Sequence, residues 1–233
     1  MLGIIGAMPE EIVLVLENME NPSKSIKGHI TYYTGKLGNQ QVVLCQSGIG
    51  KVNSALVAAT LIYSFDVTAI VFTGVAGGVY QELNLGDIVI GTDFLYHDFD
   101  ATAIGYKLSQ IPDDNEVSIF QSDTQLSQKF TDLAIEMFRK DKIYRGRIVS
   151  GDDFVASQVK INKLRELFDA YATDMESASV AHVSNKCNIP CCIIRAISDK
   201  ADGVAADTYT NFFKEAAKNS ATLVVEFTKK YSL

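Results

Sequence analysis

Short runs of β-branched and apolar residues alternate with longer amphipathic segments along this chain of 233 residues. Several short runs are apolar at successive positions, for example Val42-Val43-Leu44, which is typical of strands covered on both faces. The last long segment places its apolar residues close to helical spacing. The pattern predicts strands at 2–6, 31–37, 41–47, 69–73, 87–94, 148–150, 172–175 and 191–197. It predicts helices at 9–19, 52–64, 125–139, 159–168, 177–186 and 210–231.

The order of strand and helix predicts the fold class. Repeated strand–helix alternation indicates an α/β fold with a central, mostly parallel or mixed β-sheet flanked by helices. No linker rich in proline, serine or glycine divides the chain, so residues 1–233 are predicted to form a single domain. Ligands of such sheets bind beyond the carboxyl ends of the strands. Residues that directly follow strands are therefore the candidates for chemistry.

Charge and hydropathy exclude several classes of partner. The chain has 28 acidic and 21 basic side chains and a formal net charge of −7, whereas nucleic-acid binders usually present a basic face. No apolar run reaches the roughly 20 residues that span a bilayer. The N-terminal segment has no basic residues ahead of its apolar ones, unlike a signal peptide. We therefore expect a cytoplasmic protein that acts on small molecules, with no nucleic-acid or membrane partner.

The four cysteines do not indicate a disulfide or a metal site. Cys191 and Cys192 are adjacent on a predicted strand, where neighbouring side chains point to opposite faces, so they are poorly placed to form a disulfide. Cys45 and Cys187 add neither a CxxC spacing nor a nearby histidine of the kind that zinc sites use. We expect buried thiols in a reducing compartment, and no metal.

Two glycine clusters follow predicted strands. Residues 47–51, Ser-Gly-Ile-Gly-Lys, precede a helix, but Cys45 and Val52 stand where a phosphate-binding loop needs glycine and a hydroxyl residue. Residues 73–78, Thr-Gly-Val-Ala-Gly-Gly, depart from the dinucleotide-binding pattern at Ala76. Each cluster is either a tight turn or a place where the backbone closely approaches a ligand.

Three acidic residues lie where strands end. Glu11 falls in the first turn of a predicted helix, Glu176 stands at a strand-to-helix junction, and Asp199 follows an apolar strand. Each alone could be a carboxylate favoured by a helix dipole, a helix cap or a turn residue. Together, with almost no basic residues at strand ends, they suit a transition state that carries positive charge. Cleavage of a glycosidic bond through an oxocarbenium ion is such a case, and it needs an acid, a base and a grip on the sugar.

The sequence resembles the bacterial 5'-methylthioadenosine/S-adenosylhomocysteine nucleosidases of the purine nucleoside phosphorylase superfamily. The matching stretches run in order over essentially the whole chain, at residues 3–11, 47–52, 73–78, 96–98, 149–154, 175–176 and 195–199. The resemblance implies a homodimeric enzyme without cofactor or metal. It implies hydrolysis of 5'-methylthioadenosine and S-adenosylhomocysteine, and also of 5'-deoxyadenosine, to adenine and the 5'-substituted ribose.

The resemblance also implies a role for each site residue. Asp199 would protonate N7 of adenine, Glu11 would activate the attacking water, and Glu176 would hold the ribose hydroxyls. Phe154 would stack on the purine, and the backbone of Val155 would bind its edge. Further substrate contacts are implied for Met8, Ile49, Gly77, Met175, Arg195, Ser198 and Tyr209, and the partner subunit would contribute Ala101 and Ile104.

The chain departs from the family where Val75 replaces a frequent serine, which leaves only backbone groups near the water site. A carboxylate such as Glu11 beside the nucleophile would repel phosphate, which argues against phosphorolysis. Two alternatives stay open, a nucleoside phosphorylase and a nucleoside-binding or adhesion protein without turnover. We expect Asp153 to be exposed, and His97 and His182 to be structural residues.

The positions of Glu11 and Asp199 also lead to expectations about their ionisation. A carboxylate at a helix N-terminus, such as Glu11, should stay ionised. An acid at the end of an apolar strand, such as Asp199, is expected to have its pKa raised by desolvation.

Overall fold

Strands and helices alternate in the structure as the sequence pattern predicts. The computed structural model describes residues 1–112, 114–200 and 205–232. The strands are β1 (Leu2–Gly6), β2 (Glu20–Lys27), β3 (Ile30–Leu37), β4 (Gln40–Gln46), β5 (Ala69–Gly78), β6 (Ile88–Tyr96), β7 (Phe120–Gln121), β8 (Ile143–Ser150), β9 (Ala170–Asp174) and β10 (Cys191–Asp199). The helices are α1 (Pro9–Glu17), α2 (Lys51–Phe65), α3 (Thr124–Met137), α4 (Gln158–Phe168), α5 (Ser177–Lys186) and α6 (Ala205–Lys230), with 3-10 turns at Thr102–Ile104 and Lys140–Lys142.

The strands form one mixed sheet of 10 strands. Its order is β10-β6-β8-β9-β5-β1-β4-β3-β2, with β7 beside β6, and β10 also pairs with β5. Part of the sheet therefore closes on itself, while β1, β4, β3 and β2 extend from β5. β5 is parallel to both β1 and β10, so the carboxyl ends of these strands meet at one edge. The predicted α/β fold with a central mixed sheet is confirmed.

Helices cover both faces of the sheet, which explains the continuous apolar runs. In β5, Ile70 and Phe72 point to the side packed by α2 and α5, while Ala69 and Val71 point to the side packed by α3 and α6. Because successive strand residues point to opposite faces, both must be apolar when both faces are covered. The two main groups of buried apolar residues thus form two layers, one on each side of the sheet.

Several strands differ from the sequence prediction: β7 was not predicted, and β8 begins at Ile143 and not at residue 148. Two further differences follow from strand pairing. β5 continues through the glycine cluster to Gly78, because β9 and β10 pair with this stretch, so the interpretation of 73–78 as a turn is wrong. β2 was not predicted, because its eight residues are all exposed and include Pro22. It is an edge strand that pairs only with β3 among the described strands, a position in which proline is tolerated.

Most of the cysteines lie in the buried core. All four cysteines are free thiols; Cys45, Cys191 and Cys192 are buried and Cys187 is partly exposed. Burial raises the pKa of the Cys45 thiol and raises that of Cys191 to about 12. Within the described ranges, no helix is both long and apolar enough to cross a bilayer.

Candidate active site

A cavity of about 390 Å³ opens at the sheet edge where β1, β5 and β10 end. Acidic, aromatic and apolar side chains line it. Among the described residues, no lysine, arginine or histidine lines its surface. Most of the predicted site residues meet there: Met8, Glu11, Ile49, Gly77, Phe154, Val155, Met175, Glu176, Ser198, Asp199 and Tyr209.

Glu11 is held at the start of α1, where Pro9 occupies a first-turn position. The carboxyl group is 2% exposed. Its Oε2 accepts hydrogen bonds from the N–H groups of Ala7 (2.5 Å) and Met8 (3.0 Å), and its Oε1 accepts one from Val75 (3.0 Å). Burial raises the pKa of Glu11, and the charge of Arg195 and these three N–H donors oppose that rise. The expectation based on the helix N-terminus omitted burial, which acts in the opposite direction and is the larger effect.

Gly74 explains why the second glycine cluster is needed. A Cβ atom at this position would collide with Oε1 of Glu11 and would lie 2.6 Å from Nη1 of Arg195. The backbone of β5 can therefore approach both side chains only without a Cβ. Next to it, Val75 supplies its N–H to Glu11, while its side chain packs near Ala196. The sequence suggested that this backbone closely approaches a ligand. In the structure it closely approaches the side chains of Glu11 and Arg195.

Arg195 lies beneath the cavity rather than on its surface. The side chain is 1% exposed, and Nε donates to Oδ2 of Asp174 at 2.8 Å. Its guanidinium carbon lies 3.9 Å from the centre of the Phe72 ring, and Nη2 is 4.0 Å from Oε2 of Glu176. A buried cation needs buried carboxylates to offset its desolvation. Arg195 thus contacts the acids of the site and does not line the cavity.

Asp174 is a site residue that the sequence reasoning missed. It accepts hydrogen bonds from Ser150 Oγ (2.5 Å), Arg195 Nε (2.8 Å) and the N–H of Ser177 (3.1 Å), and also from the hydroxyl of Ser177. Asp174 is the last residue of β9 and stands two residues before the N-cap of α5, so its place at a strand end was the signal that could have indicated it. Asp174 fixes the start of α5, which carries Glu176.

Glu176 stands at the N-cap of α5 and binds a neighbouring glycine. Its Oε1 accepts a hydrogen bond from the N–H of Gly50 at 2.8 Å. Gly50 has φ of +98°, a conformation that favours glycine. Burial, and then the charge of Asp174, raise the pKa of Glu176 to about 8, while Arg195 and the Gly50 N–H lower it in part.

Ser198 and Asp199 both line the cavity although they are adjacent on β10. The pairing of β10 with β5 shifts register between Ile197 and Asp199. Such an irregularity re-aims a side chain, and here both residues reach the same cavity. Both are buried, and Ser198 Oγ donates to Oδ2 of Asp199 at 2.9 Å.

Comparison with known proteins shows which family the chain belongs to. The sequence model of the Phosphorylase superfamily matches residues 1–229. The 5'-methylthioadenosine/S-adenosylhomocysteine nucleosidase of Desulfotalea psychrophila is 41% identical over 231 residues, which cover 98% of this chain and 97% of that protein. The aminodeoxyfutalosine nucleosidase of Campylobacter jejuni is 39% identical over 231 residues, with 98% of each chain covered.

A solved structure gives the same result. The 5'-methylthioadenosine/S-adenosylhomocysteine nucleosidase of Neisseria meningitidis, in complex with methylthio-immucillin-A, superposes with a TM-score of 0.93 at 39% identity and covers 99% of both chains. The chain belongs to the phosphorylase superfamily, in its 5'-methylthioadenosine/S-adenosylhomocysteine nucleosidase family. The predicted family is thereby confirmed, and so is the enzyme class, an N-glycosyl hydrolase.

The open wall of this nucleosidase cavity is aromatic. Phe154 is 46% exposed and meets Tyr209 edge-on, with ring centres 5.6 Å apart. Tyr209 stacks on Phe213 at 5.1 Å and donates its hydroxyl to Met8 Sδ at 3.1 Å. Burial raises the pKa of Tyr209 to about 12, so its hydroxyl stays protonated. A half-exposed ring at the cavity mouth can stack on a planar base.

The other residues singled out in the sequence lie outside the cavity, except for Asp153. Ala101 precedes the 3-10 turn after β6 and Ile104 is the last residue of that turn. Neither lines the cavity of its own chain, so their role across a subunit interface stays a prediction. His97 is buried away from the cavity, where burial lowers its pKa. His182 accepts or donates a hydrogen bond with Tyr96 at 3.2 Å. Asp153 lines the cavity at its rim and pairs with Lys160, with 47% of its side chain exposed.

Proposed function

We propose that the protein hydrolyses the N-glycosidic bond of 5'-methylthioadenosine and S-adenosylhomocysteine, releasing adenine and the 5'-thio-substituted ribose. One observation carries the proposal: Glu11, Glu176 and Asp199 are all buried and all face one cavity that has an aromatic wall. Buried carboxylates around a site stabilise positive charge that develops during a reaction. Cleavage of a nucleoside places such charge on the ribose.

Asp199 is the proposed acid. Its carboxyl group would give a proton to N7 of adenine as the bond between C1' and N9 breaks, so the electron pair of that bond is taken up by a protonated purine. Ser198, which is hydrogen-bonded to Asp199, would orient the acid and the base. General acid catalysis of this kind contributes about 10²–10⁴-fold to a rate.

Glu11 is the proposed base. The new bond forms between C1' and the oxygen of water, and a proton of that water passes to the carboxylate of Glu11. Three N–H donors from Ala7, Met8 and Val75 fix this carboxylate. Its burial raises its pKa toward the range in which a carboxylate is an effective base.

The remaining residues would bind the substrate. Glu176 would hold the ribose 2'- and 3'-hydroxyls, with the Met175 side chain against the sugar. Phe154 would stack on the purine and the Val155 backbone would bind its edge. Gly77, Ile49 and Tyr209 also line the cavity, and Arg195 would act from beneath through Glu11 and Glu176.

The two alternative functions have less support. A phosphorylase must bind an anionic nucleophile, whereas no basic side chain lines the described part of this cavity and Glu11 lies beside the proposed water position. A binding protein without turnover would be expected to lose part of the catalytic set. Glu11, Glu176 and Asp199 are all present and buried.

A further substrate is also supported. The Campylobacter jejuni relative named as an aminodeoxyfutalosine nucleosidase is 39% identical to this chain, close to the 41% of the Desulfotalea psychrophila relative. Both names describe removal of a base from a nucleoside. We therefore include aminodeoxyfutalosine, with 5'-deoxyadenosine, among the candidate substrates.

We also propose that a homodimer completes the site. Ile104 is 72% exposed and Val52 of α2 is 79% exposed. Large apolar side chains that a single chain leaves this exposed are candidates for burial in a subunit interface. Ile104 and Ala101 of a second copy would close the cavity around the 5'-substituent.

The test is adenine release from each of the four nucleosides by purified protein, with and without phosphate. We expect release at the same rate in both buffers, and fastest for one of the 5'-thio nucleosides. Turnover only with phosphate would support a phosphorylase, and adenine binding without release from any nucleoside would support a binding protein. Either result would overturn the proposal.

A further inference from the structure

Lys51 joins separate segments around the cavity without lining it. Lys51 is the last residue of the first glycine cluster. Because that cluster does not match a phosphate-binding loop, the lysine has no assigned role. Its Nζ lies 2.7 Å from Oδ2 of Asp98, in the loop after β6. The same Nζ lies 3.3 Å from Oδ2 of Asp152, in the loop after β8. One ammonium group thus holds two loops to the start of α2.

Backbone groups close this arrangement into a triangle of Lys51, Asp98 and Asp152. The N–H of Lys51 donates to Oδ1 of Asp152 at 3.1 Å. The N–H of Asp152 donates to Oδ2 of Asp98 at 2.9 Å. The ammonium group also lies 5.6 Å from the centre of the Tyr96 ring. Each member of the triangle therefore contacts both others, although they come from different parts of the chain.

Two site residues depend directly on the position of this triangle. Gly50, which precedes Lys51, donates its N–H to Oε1 of Glu176 at 2.8 Å. A Cβ atom on Gly50 would lie 3.4 Å from Oδ1 of Asp152, so the two segments are packed closely. Phe154, the ring at the cavity mouth, follows Asp152 by two residues. Movement of the triangle would therefore displace both the carboxylate and the ring.

The ion pairs themselves contribute little to stability. The Lys51 and Asp98 side chains are 25% and 28% exposed, and that of Asp152 is 55% exposed. Ion pairs with this access to water usually contribute little to the free energy of unfolding, because water screens the charges and ordering two long side chains costs entropy. Burial opposes ionisation of Asp98, but hydrogen bonds from Lys51 and from the Asp152 N–H lower its pKa overall. The carboxylate therefore stays charged, and the triangle persists at neutral pH.

We propose that Lys51 is a positioning residue for the hydrolysis. Through Asp98 and Asp152 it keeps the Gly50 N–H on Glu176 and keeps Phe154 over the purine. This proposal rests on the proposed function, because it assigns Lys51 to the same site. Groups that hold a substrate in place affect rate strongly, since a displacement of about 1 Å can lower a rate by about 100-fold.

The test compares Lys51→Met with Lys230→Met. Lys230 also forms a tertiary ion pair, with Glu136, but on helices away from the cavity. We expect Lys51→Met to lower kcat/KM by about 10- to 100-fold, mainly through a higher KM, because ribose and purine contacts are loosened. Lys230→Met should keep both constants. Lys51→Arg keeps a cation that can bind two carboxylates, and it should recover most of the loss.

Unfolding by urea separates positioning from stability. The two methionine variants should unfold at similar urea concentrations, because both lose only ion pairs that are partly exposed to water. Equal kcat/KM in Lys51→Met and the native protein would overturn the proposal. A loss of kcat/KM that follows a loss of folded protein, with no change in KM, would overturn it as well. If Lys51→Met does not fold, Asp152→Asn provides the same comparison, since it removes one charge and keeps an acceptor for the Lys51 N–H.

Adenine binding keeps this test independent of turnover. Calorimetric titration with adenine should show roughly tenfold weaker binding to Lys51→Met, because Phe154 is no longer fixed. If the native protein releases no adenine from any nucleoside, the proposed function fails, and this titration still decides the role of Lys51. Unchanged adenine affinity together with unchanged turnover would leave Lys51 without a positioning role.

Discussion

The cavity and the apolar layer beneath α6 are both buried, but they bury opposite kinds of side chain. In the layer, Phe130 of α3 and Phe227 of α6 stack with ring centres 3.8 Å apart, and both are almost fully buried. In the cavity, Glu11, Glu176 and Asp199 are buried to a similar degree. The same loss of water therefore acts on apolar rings in one region and on ionisable groups in the other.

The difference shows which buried side chains stabilise the fold and which destabilise it. Burying a large apolar side chain stabilises a fold by about 1.5–3 kcal/mol. Burying a carboxylate has the opposite effect, which is visible in the raised pKa values of Glu11 and Glu176. Backbone N–H donors and Arg195 offset only part of this cost. The apolar layer thus supports a site whose residues are selected for chemistry.

The largest expected effect comes from the proposed acid. Asp199→Asn removes the proton donor while keeping the size of the side chain and an acceptor for the Ser198 hydroxyl. We expect kcat to fall by about 10²–10⁴-fold, the usual contribution of general acid catalysis. The free energy of unfolding should stay near that of the native protein, because no apolar contact is lost. Adenine release and urea unfolding, measured on the same sample, check both parts.

A near-native kcat in Asp199→Asn would remove this residue from the acid role. Asp93→Asn serves as the matched control, because Asp93 pairs with Arg147 outside the cavity. It should keep kcat.

The apolar layer should respond in the opposite way. Phe130→Ala removes a buried ring that stacks on Phe227, and such substitutions cost about 3–5 kcal/mol of unfolding free energy. We expect kcat and KM per folded molecule to stay native, because Phe130 lies far from the cavity lining. Urea unfolding and the kinetics of adenine release at low temperature test this. A changed KM would show that the two regions are coupled.

The smallest predicted effect concerns the stability of the site itself. Because the pKa of Glu176 is raised from 4.5 to about 8 on folding, its contribution to stability is fully present below pH 4.5. That contribution is lost as pH rises toward 8. Glu176→Gln cannot ionise, so it should lack this decline and should be more stable than the native protein at pH 8. It should also bind ribose more weakly.

Thermal or urea unfolding between pH 5 and 9 measures the difference between Glu176→Gln and the native protein. A constant difference across this range would contradict the raised pKa. A loss of stability in the variant at pH 8 would contradict the account of buried charge.

Sequence reasoning could identify the residues that follow a local rule. Glu11 was found because a strand, a proline and a helix start stand next to each other, and Asp199 because a long apolar run ends there. Asp174 was missed, because its role depends on Ser150 and Arg195, which are distant in sequence. The burial of Arg195 beneath the cavity depends on contacts of the same kind.

The positions of strands were hardest to predict where pairing with another strand determines them. β2 has no apolar alternation, and only its pairing with β3 keeps it extended. The glycine-rich end of β5 has a low intrinsic preference for strands, yet β9 and β10 pair with it. In both cases the segment forms a strand because another strand pairs with it, and its own residues do not indicate this.

The origin of the new ribose oxygen tests the central claim most directly. The protein is incubated with 5'-methylthioadenosine in phosphate-free water enriched in ¹⁸O, and the sugar product is analysed by mass spectrometry at early times. We predict adenine release with one ¹⁸O atom bound at C1', taken from the water that Glu11 is proposed to activate. A requirement for phosphate, with a sugar phosphate as the product, would contradict it.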